Sequence, residues 1–392
     1  MGKGCIVHIM KKSIRTSKVP LFDPRAVQAT VSGDYVFTSG MVGVDPQTLY
    51  PVEGFEAQAR LAIEHMITIS LEAGMSPENF VLCRVFLRDM VYLDLFNRIF
   101  AEYMGKDMPA VSLVGLPAFD GPYLVQVEAI GVKDGSAMKK ETIQTAEAPV
   151  LPNFPYPQGM KIGNLIFVSS QFPVYPDTLK PEADFDKQIH LVVKHMTTVV
   201  EAGGGKKKNI IKNVVMLRDI ERFDDMNAIY SQYFVKGENP PARTCYGASE
   251  LYGVSEVAME CVACMHDNWK TLFSPDGAQL PLPFCQGTSA EGLAFISGQV
   301  GFNSKTMQIE DGFENQMRQM MRNVLSVAKE AGATPEDFLK AGCFVVNKGH
   351  MEFHNQIFEE HFKGDLPACS VFQSGLAYIY IVEIDIIAQA NI

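Results

Sequence analysis

No stretch of this 392-residue chain is long and apolar enough to enter a bilayer. Its most hydrophobic run, 376-LAYIYIVEIDIIA-388, is interrupted by Glu383 and Asp385 and falls short of the roughly 20 apolar residues that a span needs. The first residues, MGKGCIVHIMKKS, lack the long apolar region of a secretion signal. Gly2 and Cys5 invite lipidation, but Ile6 stands where the myristoylation pattern requires Ser or Thr, so Ile6 to Met10 reads as the opening of a strand. Eight cysteines in a chain of this length, without a secretion signal, read as reduced thiols rather than a disulfide framework, and the expected compartment is the cytoplasm. Neither a Gly-x-Gly-x-x-Gly turn nor a P-loop occurs, so no nucleotide cofactor is expected. Basic residues are also in deficit: 34 Lys and Arg against 45 Asp and Glu leave a net charge of −11, the wrong sign for a protein that grips nucleic-acid phosphates. The one basic run, 206-KKK-208, follows 203-GGG-205 and reads as a solvated loop between helix and strand.

What the chain has is repetition. The segments 35-YVFTSGMVG-43, 165-LIFVSSQFP-173 and 293-LAFISGQVG-301 align without gaps, Glu-Ala-Gly recurs at 72–74, 201–203 and 330–332, and Pro-Ala pairs begin at 109, 241 and 367. The interval is about 130 residues each time, which divides the chain into three homologous domains, 1–135, 146–266 and 276–392. Segments 133–148 and 265–277 read as linkers. Each unit shows a strand ending in Ser39, Ser169 or Ser297 and then an amphipathic helix. In 54-GFEAQARLAIEHMITISLEAG-74 the apolar stripe is Ala59, Ile63, Met66, Ile67 and Leu71, and Gly74 is placed to cap the helix in the left-handed conformation. A β-branched strand, a second helix, the Pro-Ala strand and a closing strand follow. The pattern predicts an α+β fold of β-α-β-β-α-β type, with helices on one sheet face. The opposite face needs cover, which three linked copies supply by closing into a pseudo-threefold ring; the chain is therefore expected to be monomeric.

One residue in these repeats is out of keeping. In 240-PPARTCYG-247 an arginine sits inside an apolar strand, whereas 109-PAVSLVG-115 and 367-PACSVFQ-373 carry Val111 and Cys369 at that place. A buried guanidinium is costly unless a partner meets it. The internal candidates are Glu250, Glu256 and Glu260; the external one is a ligand carboxylate, which the planar fork of donors holds bidentately.

Together, the Phe-x-Ser-[Gly/Ser] strand, the helix ending in Glu-Ala-Gly, the Arg-Asp…Asn helix, Pro-Ala-x-[Ser/Thr] and the acidic closing strand resemble the Rid family, also known as the YjgF or L-PSP endoribonuclease family. The resemblance spans nearly the whole chain three times over. It implies a chorismate-mutase-like fold, trimeric assembly, and hydrolysis of reactive enamines and imines such as 2-aminoacrylate to 2-keto acids and ammonia, without a cofactor. It also implies sites at the subunit interfaces, where an arginine grips the substrate carboxylate. Carried over residue by residue, that arginine is Arg243 and the family cysteine is Cys245, against Leu113 and Val371 in the other repeats. The glutamate that positions water is Glu260, against Glu128 and Asp385. The tyrosine is Tyr156, against Ala26 and Phe284, and the asparagine persists as Asn97, Asn227 and Asn355. The Ser-Gly pair is Ser39-Gly40 and Ser297-Gly298, but Ser169-Ser170 in repeat 2. Since only repeat 2 combines Arg243, Tyr156, Cys245 and Glu260, one competent site centred on that repeat is expected, binding a small carboxylate.

Other readings of these residues stand beside this one. Cys245 also fits a small buried hydrophobe with no base to activate it. The pair 261-CVAC-264 places its cysteines on opposite strand faces and suits no metal, and His350 and His354 read as solvent-facing. At the level of function, the alternatives are a carboxylate-binding protein without turnover and, against the acidic charge, a ribonuclease or translation inhibitor.

Overall fold

The computed structural model describes residues 10–392; Gly2, Cys5 and all but the last residue of the strand expected from Ile6 lie outside them. Each repeat folds as one sheet with two helices on one face. In repeat 1 the sheet runs Lys12–Ile14, Ala29–Ser32, Tyr35–Thr38, Val125–Val132, Phe80–Leu87, Ala110–Gly115. Repeat 2 repeats this order with Lys140–Ile143, Gly159–Ile162, Leu165–Gln171, Val257–Cys264, Ile210–Leu217 and Ala242–Gly247. Repeat 3 does so with Lys270–Leu272, Gly287–Ala290, Leu293–Val300, Val382–Gln389, Phe338–Val345 and Ala368–Gln373.

The α+β class and the three tandem units match the sequence reading, but the order inside a unit corrects it. A hairpin precedes the first helix, and a single strand separates the two helices, giving β-β-α-β-α-β-β after the edge strand. The cause is the pairing: the Pro-Ala strand lies parallel to its predecessor in every repeat, and parallel neighbours require a crossover, here the second helix. The supposed linkers also do more than connect, since Lys140–Ile143 and Lys270–Leu272 are edge strands of the sheets that follow. They are short and mostly polar, so alternation along them is faint.

The first helices span Phe55–Glu72, Phe185–Ala202 and Phe313–Glu330. Ala59, Ile63 and Met66 are fully buried under the first of them. Leu71, placed on the stripe by the sequence, is 54% exposed, and Ile69 closes the buried face instead. Gly74 and Gly332 take the expected left-handed turn at φ 81° and 68°; in repeat 2 the turn falls one residue beyond Glu-Ala-Gly, on Gly204 at φ 90°. The run 206–208 is exposed, as expected. Cys261 joins the core beneath the helices and Cys264 the opposite face, as strand alternation requires. His354 departs from expectation: it is fully buried against Phe358, where burial lowers its pKa to about 4. No helix among the described residues is long and apolar enough to cross a membrane.

The repeats pack sheet to sheet around a common centre. Phe37 and Ile130 of repeat 1, Met160 and Phe167 of repeat 2, and Phe295 and Leu339 of repeat 3 share one apolar cluster there. The ring is closed by the same hydrogen bond three times. The backbone N–H of Val111 donates to Ser169 Oγ (3.0 Å), that of Arg243 to Ser297 Oγ (2.9 Å) and that of Cys369 to Ser39 Oγ (3.0 Å). The interfaces thus join repeats 1 and 2, 2 and 3, and 3 and 1. The last is reinforced by Ala118–Phe119 of repeat 1, which pairs with the Pro-Ala strand of repeat 3.

Candidate active site

The three straps have a local origin. Ladder pairing in the second hairpin strand breaks between Val168 and Gln171, and again between Ile296 and Gln299, so a bulge frees the serine hydroxyls from the sheet. Each hydroxyl donates back to its own repeat, Ser39 to Val27 O, Ser169 to Pro157 O and Ser297 to Cys285 O, and accepts from the next. Around these equivalent straps the three interfaces differ.

At the interface of repeats 2 and 3, Arg243 is 2% exposed. Its Nη1 donates to Asn227 Oδ1 at 2.7 Å, and its Nη2 has no hydrogen-bond partner. The guanidinium lies over three rings, with its carbon 4.7 Å from the centroid of Phe284, 4.9 Å from Tyr230 and 5.5 Å from Phe223. Glu250 instead accepts from the Met90 N–H, Glu256 pairs with Arg222, and Glu260 pairs with Arg84. The internal ion pairs that would have made Arg243 a simple strand tie are therefore not formed.

Repeat 3 faces this cation with a carboxyl that sequence reasoning missed. Glu383 is 7% exposed and lies beside the backbone N–H of Cys245. Burial, and then the nearby Asp385, push its pKa up to about 8, against the opposing pull of Lys212 and Arg243. A side chain at Gly298 would overlap Glu383 Oε1, so the carboxyl keeps this position only beside a glycine and would have to swing away from any larger residue. The signal was present in the sequence: 382-VEID-385 carries acids at two alternate positions, whereas 125-VQVE-128 and 257-VAME-260 carry only the second.

Glu260 does not join Arg243. It lies opposite Val214, which pairs with Thr244, and so faces the centre, while Arg243 points to the helix side of the same sheet. There Arg84 holds Glu260 through Nε (2.9 Å) and Nη2 (2.6 Å) and reaches Glu128 at 3.3 Å. Lys340 pairs with Glu128 at 2.8 Å and Lys212 with Asp385 at 3.3 Å. Three carboxylates and three cations compensate each other around the centre.

Of the other expected residues, Asn227 and Cys245 stay with Arg243, and the rest are split between the two remaining interfaces. Tyr156, Ser169, Ser170 and Asn97 belong to the interface of repeats 1 and 2, opposite Val111, because the strand that carries them packs on the neighbour of repeat 2 that lacks the arginine. That interface is largely filled, with only about 30 Å³ left beside Tyr156, Ser169 and Ser170. Asn97 donates to Asn153 O at 2.6 Å, Phe154 packs edge-on against Tyr156, and Ser170 Oγ meets Ser112 Oγ at 2.8 Å. Ser170 replaces glycine without a clash because Ala258 occupies the strand position that Gln126 and Glu383 fill elsewhere. Asn355 lies at the interface of repeats 3 and 1, where it lines a cavity together with Asp120. Cys245 is at the Arg243 interface as expected, 6% exposed, and burial pushes its thiol up to about 12, which keeps it un-ionised.

The comparison with known proteins agrees with this architecture. The model of the family described as Endoribonuclease L-PSP matches residues 23–133, 145–265 and 279–390. A RutC family protein of Pyrococcus abyssi is 37% identical over 127 residues, 32% of this chain and 98% of its own length. A 2-iminobutanoate/2-iminopropanoate deaminase of Escherichia coli is 34% identical over 124 residues, 31% of this chain and 96% of its own. The crystal structure of the YjgF gene product of E. coli aligns at 32% identity with a TM-score of 0.31, covering 32% of this chain and 99% of that one. Three successive matches to one family model, each over a complete unit, make this chain a member of the Endoribonuclease L-PSP family, to which the Rid and RutC proteins belong, with three units in tandem.

Proposed function

We propose that the protein hydrolyses small 2-imino acids, or their enamine tautomers, to 2-keto acids and ammonia at one site, the interface between repeats 2 and 3. The observation that carries this reading is the unpartnered Nη2 of Arg243, a buried cation with one arm fixed by Asn227 and the other free to receive a carboxylate. A charge-assisted bond of that kind adds roughly 1.5–3 kcal/mol. The name of the E. coli relative supports the substrate class.

With the carboxylate on Arg243, the imine carbon of a short substrate is presented to Glu383. A carboxyl with a pKa near 8 is protonated at neutral pH yet close enough to its pKa to exchange. It gives its proton to the imine nitrogen, which makes the carbon electrophilic; the resulting carboxylate then takes a proton from the attacking water. The carbinolamine so formed loses ammonia: Glu383 returns the proton to the departing nitrogen, and its carboxylate takes up the hydroxyl proton as the C=O forms, which restores the protonated acid. The net change is imine plus water to ketone plus ammonia. Gly298, not Ser170, lies beside this carboxyl, so the serine substitution in repeat 2 does not weigh against turnover. The test is ammonia release from enzymatically generated 2-aminoacrylate. Arg243→Ala is expected to lose the activity, and full activity in that variant would overturn the proposal.

A further inference from the structure

The interface of repeats 3 and 1 holds a partly open cavity of about 380 Å³, within the size range of small-molecule sites. It occupies the place that the Arg243 site has at the interface of repeats 2 and 3, and retains Ser39, Gly40 and Asn355. Three substitutions change its chemistry. Cys369 stands for the arginine, Ala26 for the ring of Phe284, and Gln126 for the carboxyl of Glu383. No Lys or Arg is among the described residues that line it, whereas Asp23, Asp120 and Glu359 are. Neighbouring cations are already paired: Arg25 with the lining Glu359 and the carbonyl of Phe362, and Lys340 with Glu128. A carboxylate therefore meets no free cation among the described residues here and faces Asp23 and Asp120 on the wall.

The cavity does hold one unmet polar demand. Gln126 is 5% exposed, lines the cavity, and its Nε2 has no hydrogen-bond partner. A buried N–H without an acceptor is destabilising, and an incoming oxygen relieves that cost. The adjoining walls, Leu21, Met41 and Val371, are apolar. We infer that this cavity is a second ligand site, selective for a small uncharged carbonyl compound, an amide or ketone with an apolar body, whose oxygen accepts from Gln126. Its selectivity is opposite to that of the Arg243 site, and it is independent of turnover there.

The test is fluorine NMR of 4-fluorobenzamide in the presence of the full chain, with 4-fluorobenzoate as the anionic match. The amide is expected to bind wild type and Arg243→Ala equally, and Gln126→Leu is expected to weaken it about 10-fold. Ala26→Phe, at a half-buried position that faces the cavity, is expected to abolish binding by filling the space; this variant decides the matter if thermal melting shows that Gln126→Leu does not fold. Absence of amide binding, displacement by benzoate at equal concentration, or binding unchanged in Ala26→Phe would each overturn the inference.

Discussion

Exchanging Glu383 and Glu260 for glutamine, one at a time, separates chemistry from architecture at two closely related strand positions. Glu383 is ionised less readily than a free glutamate, its pKa raised from 4.5 to about 8. Below the lower value both folded and unfolded chains hold the proton, and stability is unaffected. Between the two values the unfolded chain releases the proton and the folded chain keeps it, so wild type loses stability as pH rises, until the loss levels off above about 8. At about 1.4 kcal/mol per unit, the full loss is on the order of 3–5 kcal/mol. Glu383→Gln has no proton to release there. Chemical denaturation at pH 5 and pH 8.5 should therefore find the variant gaining on wild type as pH increases, while ammonia release falls by about 10²- to 10⁴-fold with the removal of an acid–base group. Glu260→Gln should do the reverse. It breaks the pair with Arg84 at the centre, at a cost of about 3 kcal/mol, and leaves turnover within a few-fold at temperatures where the variant is folded. Loss of turnover in Glu260→Gln with retention in Glu383→Gln, or an unaltered pH dependence of stability in Glu383→Gln, would refute the assignment.

Two further outcomes are expected. Light scattering should give one 43.4 kDa chain per particle, because the interfaces that a trimer forms between chains are formed here within one; a mass near three chains would contradict this. Cys245→Ala should alter kcat by less than about 3-fold, and the wild-type thiol should resist alkylation at pH 8 in the folded protein, since a thiol near 12 is almost wholly protonated there.

Much of this was legible in the sequence because repetition carries its own alignment. The three units, the helices and the strand that holds Arg243 could all be located from the spacing of Glu-Ala-Gly and Pro-Ala. What could not be read is which residues share a site. Sequence proximity groups Tyr156, Ser169, Arg243 and Glu260 in one repeat, but an interface draws its two walls from different repeats, so Arg243 faces Phe284 and Glu383, and Tyr156 faces Val111. The choice of Glu260 over Glu383 failed at a finer scale. Both belong to acidic closing strands, and only the pairing of Val214 with Thr244 shows that Glu260 faces the centre. The burial of His354 and the exposure of Leu71 reflect the same limit: helix periodicity gives a stripe but not its edges.

The ring has two joints spanned by the chain's own connections and one that is not. Among the described residues, repeats 3 and 1 meet through non-covalent contacts between distant parts of the sequence, among them Arg15 with Asp365, Arg25 with Glu359, and the pairing of Ala118–Phe119 with Phe372 and Gln373. In an assembly of separate subunits every interface dissolves together on dilution. Here the Arg243 site bridges consecutive repeats and keeps a high effective concentration of its own halves at any dilution, whereas the 380 Å³ cavity sits at the open seam. Loosening of the ring at that seam would reshape the cavity first, leaving the arginine and its facing carboxyl in register.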